Sequence, residues 1–151
     1  MSITRLEIGD AAYVLTHEEH GAWRELARLE GGPSALLTGP ARHSASDADI
    51  ELAIERAEDW LMPHARTLTG DILEVRDRTG RLVDGLGRGG SFTLEQIESE
   101  FNRVVASRSG VERDPVFVAH LVLVRELSHH GRVAGVSLGT IAPDHGGSLA
   151  Q

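Results

Sequence analysis

Apolar residues are most densely clustered in the segment 115–141. Within it, 116–124 is almost wholly apolar and rich in β-branched residues, and 133–141 has a similar composition. A polar segment that contains Gly131 separates the two halves. This pattern predicts a long β-hairpin whose first strand is apolar on both faces. Because such a strand has to be covered on both sides, we expect the rest of the chain to pack around it.

Two further pairs of strands are predicted by the alternation of polar and apolar residues. The segments 3–8 and 11–16 alternate on either side of a Gly-Asp turn signal. The segments 71–76 and 81–84 flank a second turn, which ends at Gly80. Short alternating segments around such turns are typical of antiparallel β-hairpins.

Three amphipathic helices are predicted by apolar residues at helical spacing. The first spans 17–30 and ends before a Gly-Gly-Pro sequence. The second follows Ser46, which can cap its free amides, and ends near Met62 because Pro63 cannot donate to the helical hydrogen bonds. The third follows Thr93, which begins a capping box with the glutamine three residues later.

The resulting order of elements is ββ-α-α-ββ-α-ββ. Three hairpins joined by helices are typical of the α+β class, with an antiparallel sheet and helices packed mainly on one face. A length of 151 residues favours one domain. We place this domain at 1–141 and expect the glycine-rich segment 142–151 to be a flexible tail. A second copy of the chain could also cover the apolar strand, so we expect a homodimer.

Composition and charge narrow the classes of function. The formal net charge of −8 disfavours binding to a nucleic-acid backbone, and an aromatic content of 4% disfavours a base-stacking surface. Cysteine is absent, which excludes disulfides and thiolate chemistry. The longest apolar run is far shorter than a membrane helix, and no N-terminal signal is recognisable. We therefore predict a cytoplasmic protein without cofactors that binds neither nucleic acid nor membranes.

Histidine pairs are the candidates for a metal site. His17 and His20 are separated by two glutamates, but zinc proteases space their two histidines four residues apart on a helix. The observed spacing favours a solvent-exposed helical turn, and the same interpretation applies to His129 and His130 in a predicted turn. We therefore predict no metal site, with His17 and His20 as the weak candidates.

The glycine-rich segment 85–90 matches the spacing G-x-G-x-x-G of dinucleotide-binding loops. The preceding strand is short, and no acid lies at the distance that a ribose contact requires, so the match is unfavourable. A more general anion site would use Arg88, Gly89, Gly90 and Ser91, through the guanidinium and free backbone amides. The alternative, which we favour, is a flexible linker.

His120 and an acidic helical surface are the remaining candidates. An imidazole within the apolar run needs a hydrogen-bond partner, and most such histidines are satisfied core residues. Otherwise His120 would line a pocket with Arg125 and Glu126. The second helix carries four acids that are either a solvent-exposed side or a docking surface for a basic partner, namely Glu51, Glu55, Glu58 and Asp59.

The sequence favours a small acidic module that binds another protein, as adaptors, chaperones and immunity or assembly proteins do, over an enzyme. The alternative is a small-molecule-binding protein or enzyme, with a pocket between sheet and helices near His120, Arg125 and Glu126. A deep pocket with converging polar groups would favour the alternative, and a flat acidic patch would favour the protein-binding module.

Overall fold

The computed structural model describes residues 2–37, 44–107 and 113–140, which hold six strands and six helices. Strands β1 to β6 span Ile3–Ile8, Ala12–Glu19, Ala22–Glu30, Ile72–Asp77, Gly90–Phe92 and Gly135–Thr140. Helices α1 to α6 span Pro33–Leu36, Asp47–Leu61, Ala65–Leu68, Arg81–Leu86, Leu94–Ala106 and Pro115–Gly131. A 3-10 turn at Met62–His64 joins α2 to α3. The predicted tail, 142–151, lies outside the described residues.

The strands form one mixed sheet in the order β3-β2-β1-β4-β6-β5. Strands β1, β2 and β3 are antiparallel neighbours, whereas β4 is parallel to both β1 and β6. The short strand β5 pairs antiparallel with β6 at one edge. The predicted α+β fold with an antiparallel sheet of three hairpins is therefore wrong. Because three neighbouring strands are parallel, their carboxyl ends meet at the same edge of the sheet.

The segment predicted as the central strand is helix α6. Every residue from Phe117 to Val124 is buried, so the predicted burial is confirmed, but the secondary structure is not. Periodicity alone cannot separate a buried helix from a buried strand, and the β-branched residues had favoured the strand. The helix starts with Asp114, whose side chain accepts a hydrogen bond from the Phe117 amide, and with Pro115 in its first turn.

From Val116 to Val124, helix α6 is apolar on all sides apart from His120, because this part lies at the centre of the helical layer. It contacts each of the helices α1 to α5. Its other neighbour is the sheet, whose strands β1, β2 and β4 alternate buried and half-buried residues. The buried side faces α6, since Tyr13 of β2 reaches His120. A helix that is enclosed in this way has no polar face.

Two other predicted elements are also different in the structure. The helix predicted at 17–30 is instead the end of β2 and strand β3, which form a hairpin with a bulge between Leu15 and Thr16. The predicted hairpin at 71–84 is instead β4 followed by α4. In both places the local pattern was ambiguous, because a short apolar run fits the periodicity of a helix as well as that of a strand.

One predicted hairpin and two predicted helices are present in the structure. The β1–β2 hairpin forms as predicted, although β2 extends to Glu19, beyond the predicted end at residue 16. Helix α2 begins with a capping box between Ser46 and Asp49, and α5 begins with one between Thr93 and Gln96. No helix in the described part of the chain combines the length and the apolar character that crossing a membrane requires.

Candidate functional site

A cavity of about 350 Å³ opens at the edge where β1 and β4 end. Its lining residues come from the turns after these two strands, from α1, and from the starts of α4 and α6, namely Asp10, Pro33, Arg78, Thr79, Arg81 and Val116. In open α/β sheets, ligands bind in the crevice outside the carboxyl ends of the parallel strands. We call this cavity the strand-end cleft.

The buried carboxylate of Asp77 organises the turn that forms one wall of the strand-end cleft. Its Oδ1 accepts hydrogen bonds from the amide and the hydroxyl of Thr79, at 2.9 and 2.6 Å. Its Oδ2 accepts a bond from the Leu82 amide at 2.8 Å, in the first turn of α4. Gly80 has a φ of 74°, a left-handed conformation that favours glycine. The chain can therefore reverse from β4 into α4 within three residues, with Thr79 fixed at the cleft.

A chain of hydrogen bonds continues from Thr79 into the core. The Thr79 hydroxyl donates to Asp77, so it accepts from Nε2 of His120, 3.1 Å away. Nδ1 of the same ring then accepts from the hydroxyl of Tyr13 at 2.9 Å. This order assigns the Nε2–H tautomer to His120 and joins β2, α6 and the turn after β4.

Burial determines the protonation states of the two titratable side chains in this series of hydrogen bonds. Burial lowers the pKa of His120 to about 4; the charge of Asp77 opposes the shift and that of Arg81 adds to it. Burial also raises the pKa of Tyr13, and the charge of Asp77 adds to the increase. At neutral pH the imidazole and the phenol are both uncharged, which agrees with the assigned direction of the hydrogen bonds. The side chains of Thr79, His120 and Tyr13 therefore hold the cleft wall in place without carrying charge.

Two arginines supply the positive charge of the strand-end cleft. Arg81 donates two hydrogen bonds to the carboxylate of Asp114, at 3.0 and 3.1 Å, which fixes its guanidinium at the start of α6. Arg78 lies 3.9 Å from the carboxylate of Glu7, and its side chain is 54% exposed. The cleft thus has one anchored cation and one that can move toward a ligand, together with the carboxylate of Asp10.

Solved structures share this arrangement of strands and helices, although no family model and no curated protein matches the chain. A Ppx/GppA family member from Aquifex aeolicus gives a TM-score of 0.68 at 12% identity, with 92% of this chain and 52% of that chain covered. An exopolyphosphatase from Cytophaga hutchinsonii gives 0.65 at 12% identity, covering 92% and 53%. This chain has their fold. It spans about half the length of these structures.

The likeness contradicts the predicted role of the chain as an acidic protein-binding module. That prediction depended on size and charge, which proteins of many folds share. Among the solved structures with this fold, one is named as a Ppx/GppA phosphatase and another as an exopolyphosphatase. Together with the strand-end cleft, the fold favours the alternative, which is a small-molecule-binding protein or an enzyme.

The residues of the predicted pocket are divided between two places. His120 lies beneath the strand-end cleft, where it contacts Thr79. Arg125 instead lines a second cavity, of about 260 Å³, between α5 and α6, and forms two hydrogen bonds to Glu98, at 2.9 and 3.2 Å. Glu126 is buried next to it and accepts a bond from Arg125 at 2.6 Å. The three residues therefore do not line one pocket.

The predicted anion segment follows α4 and continues into β5. The guanidinium of Arg88 stacks over the ring of Phe92 at 4.0 Å and donates to the Gly89 carbonyl oxygen at 2.9 Å. Gly90 and Ser91 belong to β5 and pair with β6, so no helix begins directly after the glycines. Gly90 and Ser91 thus lie in the edge strand, and none of Arg88, Gly89, Gly90 and Ser91 lines the strand-end cleft.

The weak metal candidates belong to a hairpin instead of a helix. His17 is buried in β2, with Nδ1 3.1 Å from the Thr4 hydroxyl and 3.2 Å from the carboxylate of Asp71. His20 lies in the turn before β3, with a φ of 53°. Among the described residues, neither histidine belongs to a group of three metal-ligating side chains.

The four acids of α2 do not form a uniform surface. Glu51, Glu55 and Asp59 are exposed, but Glu58 is half-buried and its carboxylate lies 2.9 Å from Nε2 of His130 on α6. This glutamate therefore faces the neighbouring helix, which the charge pattern of α2 alone did not reveal.

Proposed function

We propose that this chain is the phosphate-binding part of an enzyme that acts on a phosphate-chain anion, and that the ligand lies in the strand-end cleft. The observation that carries the proposal is the meeting of Arg78 and Arg81 at the carboxyl ends of β1 and β4. Guanidinium groups recognise phosphoryl oxygens through paired, charge-assisted hydrogen bonds. Among the solved structures with this fold, one is named as an exopolyphosphatase and another as a Ppx/GppA phosphatase, which supports the same class of ligand.

The two arginines have different roles in this proposal. Arg81 is held by Asp114, so its orientation is set before the ligand arrives and little side-chain entropy is lost on binding. Among the described residues, the ion-pair partner of Arg78 is the carboxylate of Glu7 at 3.9 Å, so Arg78 can leave it and turn toward the ligand. The net charge of −8 repels anions at long range, so affinity depends on these local contacts.

Calorimetric titration of the protein with tripolyphosphate tests the proposal, with sulfate at matched ionic strength as the comparison anion. We expect Arg78→Gln to weaken tripolyphosphate binding about tenfold or more, because a hydrogen bond to a charged group contributes roughly 1.5–3 kcal/mol. Phosphate release, measured in the same samples, tests the enzymatic part of the proposal. The predicted cytoplasmic location and the exclusion of nucleic acid and membranes stay predictions.

Arg24→Gln is the matched control for Arg78→Gln. The two side chains have the same exposure of 54%, and Arg24 also has a carboxylate nearby, that of Glu19 at 3.0 Å. Arg24 pairs with His17, at the opposite end of the sheet from the cleft. Equal tripolyphosphate affinity for the wild type and Arg78→Gln, or equal loss in both variants, would contradict the proposed site.

A further inference from the structure

Three side chains that can bind a metal ion converge between α2 and α6. Glu58 comes from α2, while Glu126 and His130 are one turn apart on α6. Nε2 of His130 lies 2.9 Å from Oε2 of Glu58 and 3.2 Å from Oε1 of Glu126. The three ligand atoms all lie within 4.8 Å of one another. We call these residues the α2–α6 cluster.

The spacing of the α2–α6 cluster fits the coordination of a zinc-like cation. Zinc binds imidazole nitrogen and carboxylate oxygen at about 2.0–2.2 Å, so ligand atoms of a tetrahedral site lie about 3.3 Å apart. Two of the three separations, 2.9 and 3.2 Å, are already within a few tenths of an ångström of that value. One nitrogen and two oxygen ligands also suit borderline divalent metals.

Glu126 is oriented in advance by groups outside the cluster. It is 1% exposed, and its other oxygen, Oε2, accepts a hydrogen bond from Arg125 at 2.6 Å. Arg125 is itself fixed by two hydrogen bonds to Glu98 and by stacking over the ring of Phe101 at 4.4 Å. Partners of this kind hold the ligands of natural metal sites and increase their affinity. Oε1 of Glu126 is therefore directed at the cluster by a rigid support.

Burial makes a cation favourable next to Glu126. The carboxylate of Glu126 is removed from water by burial. A buried carboxylate gains from an additional positive partner. A divalent ion bound by Glu126 and Glu58 would supply that charge. In the metal-free protein, His130 supplies a hydrogen-bond donor between the two carboxylates.

The α2–α6 cluster is open on one side and distant from the strand-end cleft. The side chains of His130 and Glu58 are 30% and 39% exposed, so an ion can enter from solvent and keep a water ligand. Val116 at the cleft and His130 are separated by fourteen positions of α6, or about 20 Å along the helix axis. Metal binding here is therefore separate from the proposed phosphate site.

We propose that Glu58, Glu126 and His130 bind one divalent metal ion of the zinc class and thereby clamp α2 to α6. His130 would coordinate through the lone pair of Nε2 as a neutral ring with its proton on Nδ1, so a neutral ring protonated on Nε2 would change tautomer and an imidazolium would release one proton to solvent. Because the ion binds only the folded arrangement of two helices, it would also stabilise the fold. The clamp depends on no property of the phosphate site.

Calorimetric titration of the full chain with Zn²⁺ tests this proposal, and the visible absorption of the Co²⁺-loaded protein reports the ligand geometry. We expect binding at micromolar or lower Zn²⁺, a rise in melting temperature, and the intense absorption of tetrahedral Co²⁺. His130→Gln should weaken Zn²⁺ binding at least about tenfold and remove the rise in melting temperature. His129→Gln is the control, since the adjacent ring lies 5.1 Å away but belongs to no ligand group.

Glu58→Gln provides a second variant, at a side chain exposed enough for the fold to tolerate the change. It should also weaken Zn²⁺ binding while circular dichroism stays unchanged. The proposal is overturned if the wild type binds no Zn²⁺ below millimolar concentration. It is equally overturned if His130→Gln and Glu58→Gln both retain the wild-type affinity, or if His129→Gln loses as much affinity as His130→Gln.

Discussion

The imidazole of His120 is fully buried, and burial lowers its pKa to about 4. An ordinary histidine in the unfolded chain has a pKa of about 6.5. Between these two values the unfolded state binds more protons than the folded state, so stability rises with pH. The contribution of neutral His120 is therefore complete above about pH 6.5 and is lost progressively as the pH falls toward 4.

Urea unfolding of the wild type and of His120→Gln at pH 7 and pH 5 measures this contribution. From the two pKa values, the wild type should lose about 2 kcal/mol of unfolding free energy on acidification that the variant does not lose. All other ionisable groups are the same in both proteins, so their contributions cancel in the comparison. A difference between the two proteins that is the same at both pH values would contradict the buried, neutral imidazole.

The same residue shows how much of the site was predictable. Its apolar neighbours indicated that the imidazole needs a hydrogen-bond partner. The partners, Tyr13 and Thr79, lie 107 and 41 residues away along the chain, and no local pattern reports such distances. Arg78 and Arg81 were missed for a related reason: a polar turn after a strand marks a ligand site only when the strand has parallel neighbours.

Among the secondary structure elements, the packing of α4 on α6 depends on Gly85. A Cβ atom at this position would lie 2.2 Å from the ring of Phe117, far inside van der Waals contact. Gly85→Ala would force either α4 or the buried ring to move, and overpacking of this kind costs roughly 1–3 kcal/mol. We expect urea unfolding of Gly85→Ala to show this loss of unfolding free energy. We also expect the variant to bind tripolyphosphate more weakly, since α4 carries Arg81.

Gly139→Ala is the control for this substitution. Among the described residues, no atom would lie within 4 Å of a Cβ atom at Gly139, and Gly139 has no left-handed φ. Alanine there should leave stability unchanged or slightly higher, because it restricts the unfolded chain. Equal unfolding free energies for the two variants would contradict the tight contact between α4 and α6. Partial recovery in a Gly85→Ala/Phe117→Leu double variant would confirm that contact.

Helices whose start signal precedes an amphipathic pattern were predictable, whereas α6, which has a start signal but no such pattern, was not. The capping boxes at Ser46 and Thr93 lie within four residues of sequence, so they were visible from the chain alone. From Val116 to Val124, helix α6 has an apolar residue at every position except His120, which removes the periodicity that distinguishes a helix from a strand. The remaining signals were its start at Asp114 and Pro115 and its length of seventeen residues, since buried strands are usually shorter.

At the scale of the whole molecule, the sheet was the least predictable feature. Residues that alternate along a strand show that one face is buried, but they carry no information on whether its neighbour is parallel. Strand β1 is parallel to β4 although a hairpin and several helices separate them in sequence. The β1–β2 hairpin was predictable because its turn is local. The parallel pairing of β1 with β4 instead requires a long crossover connection, in which helices return the chain to the end of the sheet where β1 begins.

The topology also removes the reason for predicting a homodimer. That prediction required an apolar strand that the chain itself could not cover, but the apolar segment is α6, which the sheet and the helices α1 to α5 enclose. In the described residues, the large apolar side chains that remain exposed are Trp23, Met62 and Val105, which belong to three different elements. Single exposed residues of this kind are normal on monomers. We therefore expect sedimentation velocity at micromolar concentration to give the mass of one chain, and a mass of two chains would show that a surface other than α6 drives association.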